Sequence, residues 1–287
     1  MNYFTPLPGL SEPVDFTSST LVLPQPSLAS IAQLACDLII ANFQLTRVGF
    51  LGLRDHVPAV SGLDTLPGKE TAPDGISYSV EVFQVPSRSL TVVLPRSPVI
   101  RARRPHYLAS MRQFIAQGQF KEVLLVAGVD AALRNDEGLN SSSPLRHFLL
   151  PNPSSPSLLD LASVSTPYSL ASGSDALPLV PHGGMTRRLL DTLQSSDSTD
   201  LPAVSALLIY TFETTEPETA FFLADALTSV LKKELEGLES RIENLQLGDN
   251  PEEERPQGAI KWKVPKSWET GLMGAELPLD HRTDMFG

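Results

Sequence analysis

Cysteine is almost missing: Cys36 is the only one in 287 residues. That excludes an internal disulfide or a multi-thiolate metal site, and it suits a reducing compartment. No apolar run approaches the roughly 20 residues that span a bilayer. Positive charge is also short, with 22 Lys and Arg against 33 Asp and Glu, a formal net of −11. General binders of nucleic acid or anionic membranes need the opposite field. Residues 1–9 hold two prolines and no Lys or Arg, so they do not read as a secretory signal. The expectation is a soluble intracellular protein of the cytoplasm, with the nucleus also open to it, that binds neither nucleic acid nor membrane. With 41% hydrophobic and 19% charged residues, the chain has an ordinary globular balance and length enough for a buried core.

Proline is in excess, at 25 residues, nearly twice the usual share of about 5%. Many gather in Pro58–Pro73, Pro144–Pro181 and Pro251–Pro278. The middle stretch is also rich in Ser and Leu, and it reads as a long surface insertion with little regular structure, at about 151–181. The expected organisation is one domain over 1–250, carrying that insertion, and a linker and tail over 251–287.

Between the proline stretches the periodicity is clear. Leu21–Leu23 is a short apolar run stopped by Pro24, the length of a buried strand. Ser27 can cap a helix whose stripe is Ile31, Leu34, Ala35, Leu38 and Ile39. Arg47–Leu53 reads as a second strand. Tyr78–Val85 and Leu90–Leu94, split by Pro86–Ser89, read as a hairpin whose first strand is half-buried. Pro105–Gln117 is helical, with Gly118 as its C-cap, and Lys121–Gly128 is a buried strand. Met185–Leu193 is a short amphipathic helix and Val204–Phe212 a strong strand. Thr215 and Glu218 have capping-box spacing, with Pro217 in the first turn. The helix they announce carries Leu223, Leu227, Val230, Leu231, Leu235 and Leu238 on one stripe. Alternating strands and helices with a hairpin imply an α/β layered domain on a mixed sheet, with helices on both faces.

Few residues stand in a pattern that chemistry requires. Gly62–Glu70 has one residue too many for a phosphate loop, and Glu70 stands where a Ser or Thr should meet magnesium. His182-Gly-Gly-Met185 has the look of an oxyanion-hole loop, but no nucleophile elbow accompanies it. Tight backbone turning at Gly183 and Gly184 explains it better. His56, His106, His147, His182 and His281 show no i, i+3 or i+4 pair for a metal. Cys36 reads as a small core residue, and Asp37 as a solvated helix residue. Arg96, Arg101, Arg103 and Arg104 form the one basic cluster. It reads as a solvent-facing helix start or, through Arg101, Arg103 and Arg104, as a docking patch for an acidic protein partner. No catalytic, metal or cofactor residue emerges.

The tail is unusual. Lys261–Trp268 holds both tryptophans of the chain; rings so near an end usually pin the tail back onto the body, the alternative being a tryptophan-based partner site. Beyond it, Met285-Phe286-Gly287 could enter a partner's pocket with its carboxylate held by a cation or backbone amides.

Four segments in order resemble the proteasome assembly chaperone 2 family, part of a superfamily with archaeal homologues. They are Ser27–Gly49, Glu81–Arg88, His182–Leu189 and Lys261–Trp268, and together they span nearly the whole length. None is catalytic. The resemblance implies a three-layer α/β/α domain of the phosphorylase/hydrolase-like kind, without the catalytic apparatus of enzymes sharing that layout. It also implies a non-enzymatic chaperone that uses no cofactor and forms an obligate heterodimer with proteasome assembly chaperone 1. The pair would sit on the outer face of the 20S proteasome α-subunit ring. A C-terminal hydrophobic–tyrosine–any motif enters pockets between α subunits in this family. Met285, Phe286 and Gly287 fit it with Phe in place of Tyr, at the cost of a hydroxyl hydrogen bond. The runner-up is a hydrolase or phosphorylase-like enzyme with a pocket near His182. A third reading is a scaffold that pairs with its partner without using the tail.

Overall fold

The computed structural model describes residues 3–64, 66, 75–134, 143–150, 157–168, 183–194, 201–212, 217–238 and 260–270. In chain order the strands are β1 (Phe4–Pro6), β2 (Thr20–Pro24), β3 (Thr46–Leu51), β4 (Val60–Gly62), β5 (Ile76–Tyr78), β6 (Val80–Gln84), β7 (Leu90–Pro95), β8 (Glu122–Asp130), β9 (Leu145–Leu149), β10 (Thr166–Pro167) and β11 (Ala203–Thr211). The α-helices are α1 (Ile31–Asn42), α2 (Arg104–Gly118), α3 (Gly184–Gln194), α4 (Pro217–Val230) and α5 (Lys266–Thr270).

Nine strands form one mixed sheet in the order β1-β3-β6-β7-β2-β8-β11-β9-β10. Its centre, β7-β2-β8-β11, is parallel. On one side β1, β3, β6 and β7 join antiparallel; on the other, β9 runs antiparallel to β11. Strands β4 and β5 make a separate antiparallel pair.

Side-chain alternation divides the core in two. Val22, Leu124, Val126, Leu207 and Ile209 point to the face covered by α1 and α4. Leu21, Leu23, Val123, Leu125 and Leu208 point to the face covered by α2 and α3. Burial on both faces is why β2, β7 and β11 are apolar with little interruption and buried at every position. The architecture is a three-layer α/β/α domain.

Several local expectations change. Ser27 does not cap a helix; its Oγ accepts from the Gly128 amide at 2.8 Å. A 3-10 turn, Leu28–Ser30, precedes α1, and Ala29 and Ser30 have φ of 56° and 52°. Strand β6 is buried throughout rather than half-buried. Helix α2 ends through Gln119 at φ 50°, and Gly118 stays helical. Phe120 folds over Gly118 so closely that a Cβ there would lie 2.2 Å from its ring.

The proline-rich stretch is not all irregular. Leu145–Leu149 is a strand in the sheet, buried except at Leu149. Arg146 and His147 interrupt its apolar pattern, and so hide it from a reading by periodicity. Leu161 joins the core, and Ser157 Oγ donates to Glu122 Oε2 at 3.0 Å. Residues 157–168 are therefore stitched to the sheet. Thr215 lies outside the described residues, while α4 starts at Pro217 with Glu218 in its first turn.

Candidate functional site

The structure divides the basic cluster. Arg96 turns inward: its Nε donates to Glu81 Oε2 at 2.8 Å and a second guanidinium nitrogen to Asp37 Oδ1 at 3.2 Å. Arg47 reaches the other oxygen of Glu81 at 2.5 Å. Glu81 is fully buried in β6, so the two arginines compensate a charge that could not otherwise stay there. Asp37 is thus not a solvated helix residue. Burial pushes its carboxyl above the usual range, with Arg96 pulling the other way.

Arg103 turns toward Asp55. Its Nε donates at 2.9 Å, Tyr3 donates its hydroxyl at 2.9 Å, and His106 Nδ1 lies 2.9 Å away. Gly52 makes this meeting feasible. It takes φ 56°, and a Cβ there would lie 2.3 Å from the Tyr3 hydroxyl oxygen. Burial raises the Asp55 carboxyl, but the bonds from His106, Tyr3 and Arg103 outweigh it and hold it below the usual range. Burial and the neighbouring carboxylate push the Tyr3 hydroxyl up. His56 packs beside the cluster with Nδ1 3.2 Å from the Gly52 carbonyl, and burial pushes its imidazole down.

The Asp55 cluster lies near the ends of β2 and β7, the rim where α/β sheets commonly bind ligands. The adjoining cavity, lined in part by Tyr3, Pro24, Pro95 and Tyr107, holds only about 10 Å³. That is room for a single water. Asp, His and Tyr are acid–base residues, yet here they are spent on one another. The group is a clasp for the N-terminal strand, and sequence reading missed it because its members lie about fifty positions apart.

Of the three arginines expected to form a docking patch, Arg101 is exposed, Arg104 half-buried, and Arg103 part-exposed and paired with Asp55. Cys36 is buried, and burial raises its thiol, as a core residue requires. Gly184 takes φ 44° where α3 begins, in line with a turning role. His182, Glu70 and the tail residues Met285, Phe286 and Gly287 lie outside the described residues. Among the described residues, no group of three or more His, Cys, Asp or Glu could hold a metal ion, and no helix is long and apolar enough to cross a membrane.

Both tryptophans dock onto the body. Trp262 is buried against Phe43, ring centroids 6.3 Å apart, and its indole donates to Asp225 Oδ1 at 2.8 Å. Trp268 stacks on Phe221 at 6.2 Å. Asn42 exchanges two hydrogen bonds with the Lys263 backbone, at 2.9 and 3.0 Å. The segment completes the α1–α4 layer.

No family model matches the chain. Its curated relatives include proteasome assembly chaperone 2 of Danio rerio, 26% identical over 276 residues, covering 92% of this chain and 94% of that one. Proteasome assembly chaperone 2 of Homo sapiens is 26% identical over 284 residues, covering 94% and 97%. Among solved structures, PbaA of Pyrococcus furiosus, an archaeal homologue of proteasome-assembly chaperone, matches with a TM-score of 0.53 at 11% identity, covering 81% and 92%. PbaB of the same organism, an archaeal proteasome activator, matches with a TM-score of 0.50 at 12% identity, covering 86% and 97%. Along more than nine-tenths of its length, then, this chain is similar to proteasome assembly chaperone 2, and its fold is that of the archaeal homologue.

Proposed function

We propose that the chain is a non-enzymatic chaperone of 20S proteasome assembly, acting as a heterodimer with proteasome assembly chaperone 1 on the α-subunit ring, in the cytoplasm and nucleus. The observation that carries the reading is similarity over nine-tenths of both chains to proteins of that name. The acid–base groups around Asp55 pair with one another beside a cavity of about 10 Å³, which supports a structural role for that cluster. Met285, Phe286 and Gly287 would serve as the anchor in a pocket between α subunits.

Affinity purification of the endogenous protein, followed by mass spectrometry, tests this. The expected result is co-enrichment of proteasome assembly chaperone 1 and α subunits. A preparation containing neither would overturn the reading.

A further inference from the structure

Charge is unevenly spread. Although the chain carries a net −11, Pro95 to Lys121 contains six Arg and Lys and no Asp or Glu. Arg96, Arg103 and Lys121 are paired with acids from other elements, and Arg101, among the described residues, is not. The start of this stretch packs against the 3-10 turn Leu53–Asp55. The Ile100 amide donates to the Asp55 carbonyl at 2.8 Å, and the Val57 amide to the Pro98 carbonyl at 3.0 Å. One continuous surface results. On it Leu53 is 36% and Val57 44% exposed, beside exposed Arg54, Pro98 and Arg101.

Three facts separate this surface from an ordinary solvated face. Its acid, Asp55, is fully buried and already takes Tyr3, Arg103 and His106, so it offers nothing to Arg54 or Arg101. Among the described residues neither of these arginines has an acidic partner. Finally, α2 has no acid in its first turn and is approached by Arg101, Arg103 and Arg104, where the helix dipole favours the opposite charge. Asp55 compensates Arg103 there and leaves Arg54 and Arg101 next to uncovered Leu and Val.

We propose that Leu53, Arg54, Val57 and Arg101 form a docking surface for an acidic protein segment that also carries apolar side chains. Charge complementarity selects the acidic partner: the surface is positive on a negative molecule, so it steers an acidic segment to one face while the rest of the chain repels it. Leu53 and Val57 then supply apolar contact, which a purely electrostatic site would lack. Behind the surface, Arg103 pairs with the buried Asp55, so that carboxylate adds no uncompensated negative charge beneath it.

The test uses the purified full-length chain and a fluorescein-labelled peptide of mixed glutamate and leucine, followed by anisotropy. An all-glutamate peptide and a single-stranded oligonucleotide serve as competitors. The mixed peptide should bind, more weakly as salt rises, and outcompete both. Arg54→Glu with Arg101→Glu should lower affinity about tenfold or more, and Leu53→Ser with Val57→Ser should lower it with little change in salt dependence. Arg88→Glu, at the opposite end of β7, is the control and should change little. These are exposed positions, and unchanged circular dichroism would show the fold intact. Equal loss in the Arg88 variant, or equal binding of the oligonucleotide, would reduce the surface to general electrostatics and overturn the proposal. So would a mixed peptide that does not bind. The measurement uses one chain alone, so its failure is distinct from a failed co-purification with proteasome assembly chaperone 1.

Discussion

Asp55 illustrates how a residue's role can be invisible in sequence and plain in space. Its partners Tyr3, Arg103 and His106 lie 52, 48 and 51 positions away, beyond the reach of any local pattern. The same holds for Asp37, read as solvated yet paired with Arg96 across 59 positions. Asp55→Asn should destabilise the domain by about 1–3 kcal/mol in chemical denaturation. The cost stays below the 3–5 kcal/mol of a sealed ion pair because Arg103 and His106 are 41% and 53% exposed and can rehydrate. The pH dependence has a definite sign. A carboxyl depressed in the folded state stabilises above its unfolded pKa, about 3.9, and that contribution is lost as pH falls through the folded value. The gap between wild type and Asp55→Asn should therefore shrink as pH falls below about 4. A gap that widens in acid would contradict the clasp. Arg96→Met should cost more, about 3–5 kcal/mol, since it leaves buried Glu81 with Arg47 alone. Adding Glu81→Gln should recover part of that loss, and a double-mutant cycle would measure it.

At the scale of elements, legibility followed burial. Strands β2, β8 and β11 and the stripe of α1 were readable because burial on both faces, or on one helical stripe, leaves continuous or periodic apolar residues. The tryptophan segment was readable because two large rings near a chain end have few places to go but the core. Strand β9 was not, since Arg146 and His147 sit inside it. Arg146 keeps its charge satisfied by donating to the Ser143 and Leu145 carbonyls at 2.7 and 2.8 Å, a solution that needs the folded backbone. The ends of helices also eluded reading. Ser27 is drawn away by Gly128, a tertiary contact, whereas Gly118 stays helical under the ring of Phe120 two residues on, and Gln119 takes the cap. The tryptophan segment gives the prediction at this scale. Trp262→Ala should destabilise by about 3–5 kcal/mol, the range for a large aromatic removed from a core. Trp262→Phe should cost less, about 1–2 kcal/mol, chiefly through loss of the indole hydrogen bond to Asp225. Thermal or denaturant unfolding would separate the two. Equal, negligible losses would mean that the segment rests on the body without stabilising it.

At the scale of the whole molecule, the fold accounts for a platform and the proposed function asks for an anchor. The Trp262–Trp268 segment fixes the chain to the α1–α4 layer, with seventeen residues remaining after Thr270. Fully extended, such a length reaches at most about 60 Å, enough to carry Met285 and Phe286 well away from the body. Two apolar side chains and a terminal carboxylate could then occupy one pocket, held by packing and by charge. Removing Met285, Phe286 and Gly287 should weaken binding to α rings by about 1–3 kcal/mol, roughly five- to a hundred-and-fifty-fold. Heterodimer formation should not change, because the cut lies far along the chain from the folded layers. Phe286→Tyr should keep or strengthen binding by restoring a hydroxyl, whereas one residue added after Gly287 should act like truncation by displacing the carboxylate. Titrating α rings with wild-type, truncated and extended heterodimers distinguishes these cases. If the extended form binds like wild type while the truncated form is weak, apolar packing alone holds the tail. Equal affinities for all three would leave ring binding to the folded surfaces, with the tail playing no part.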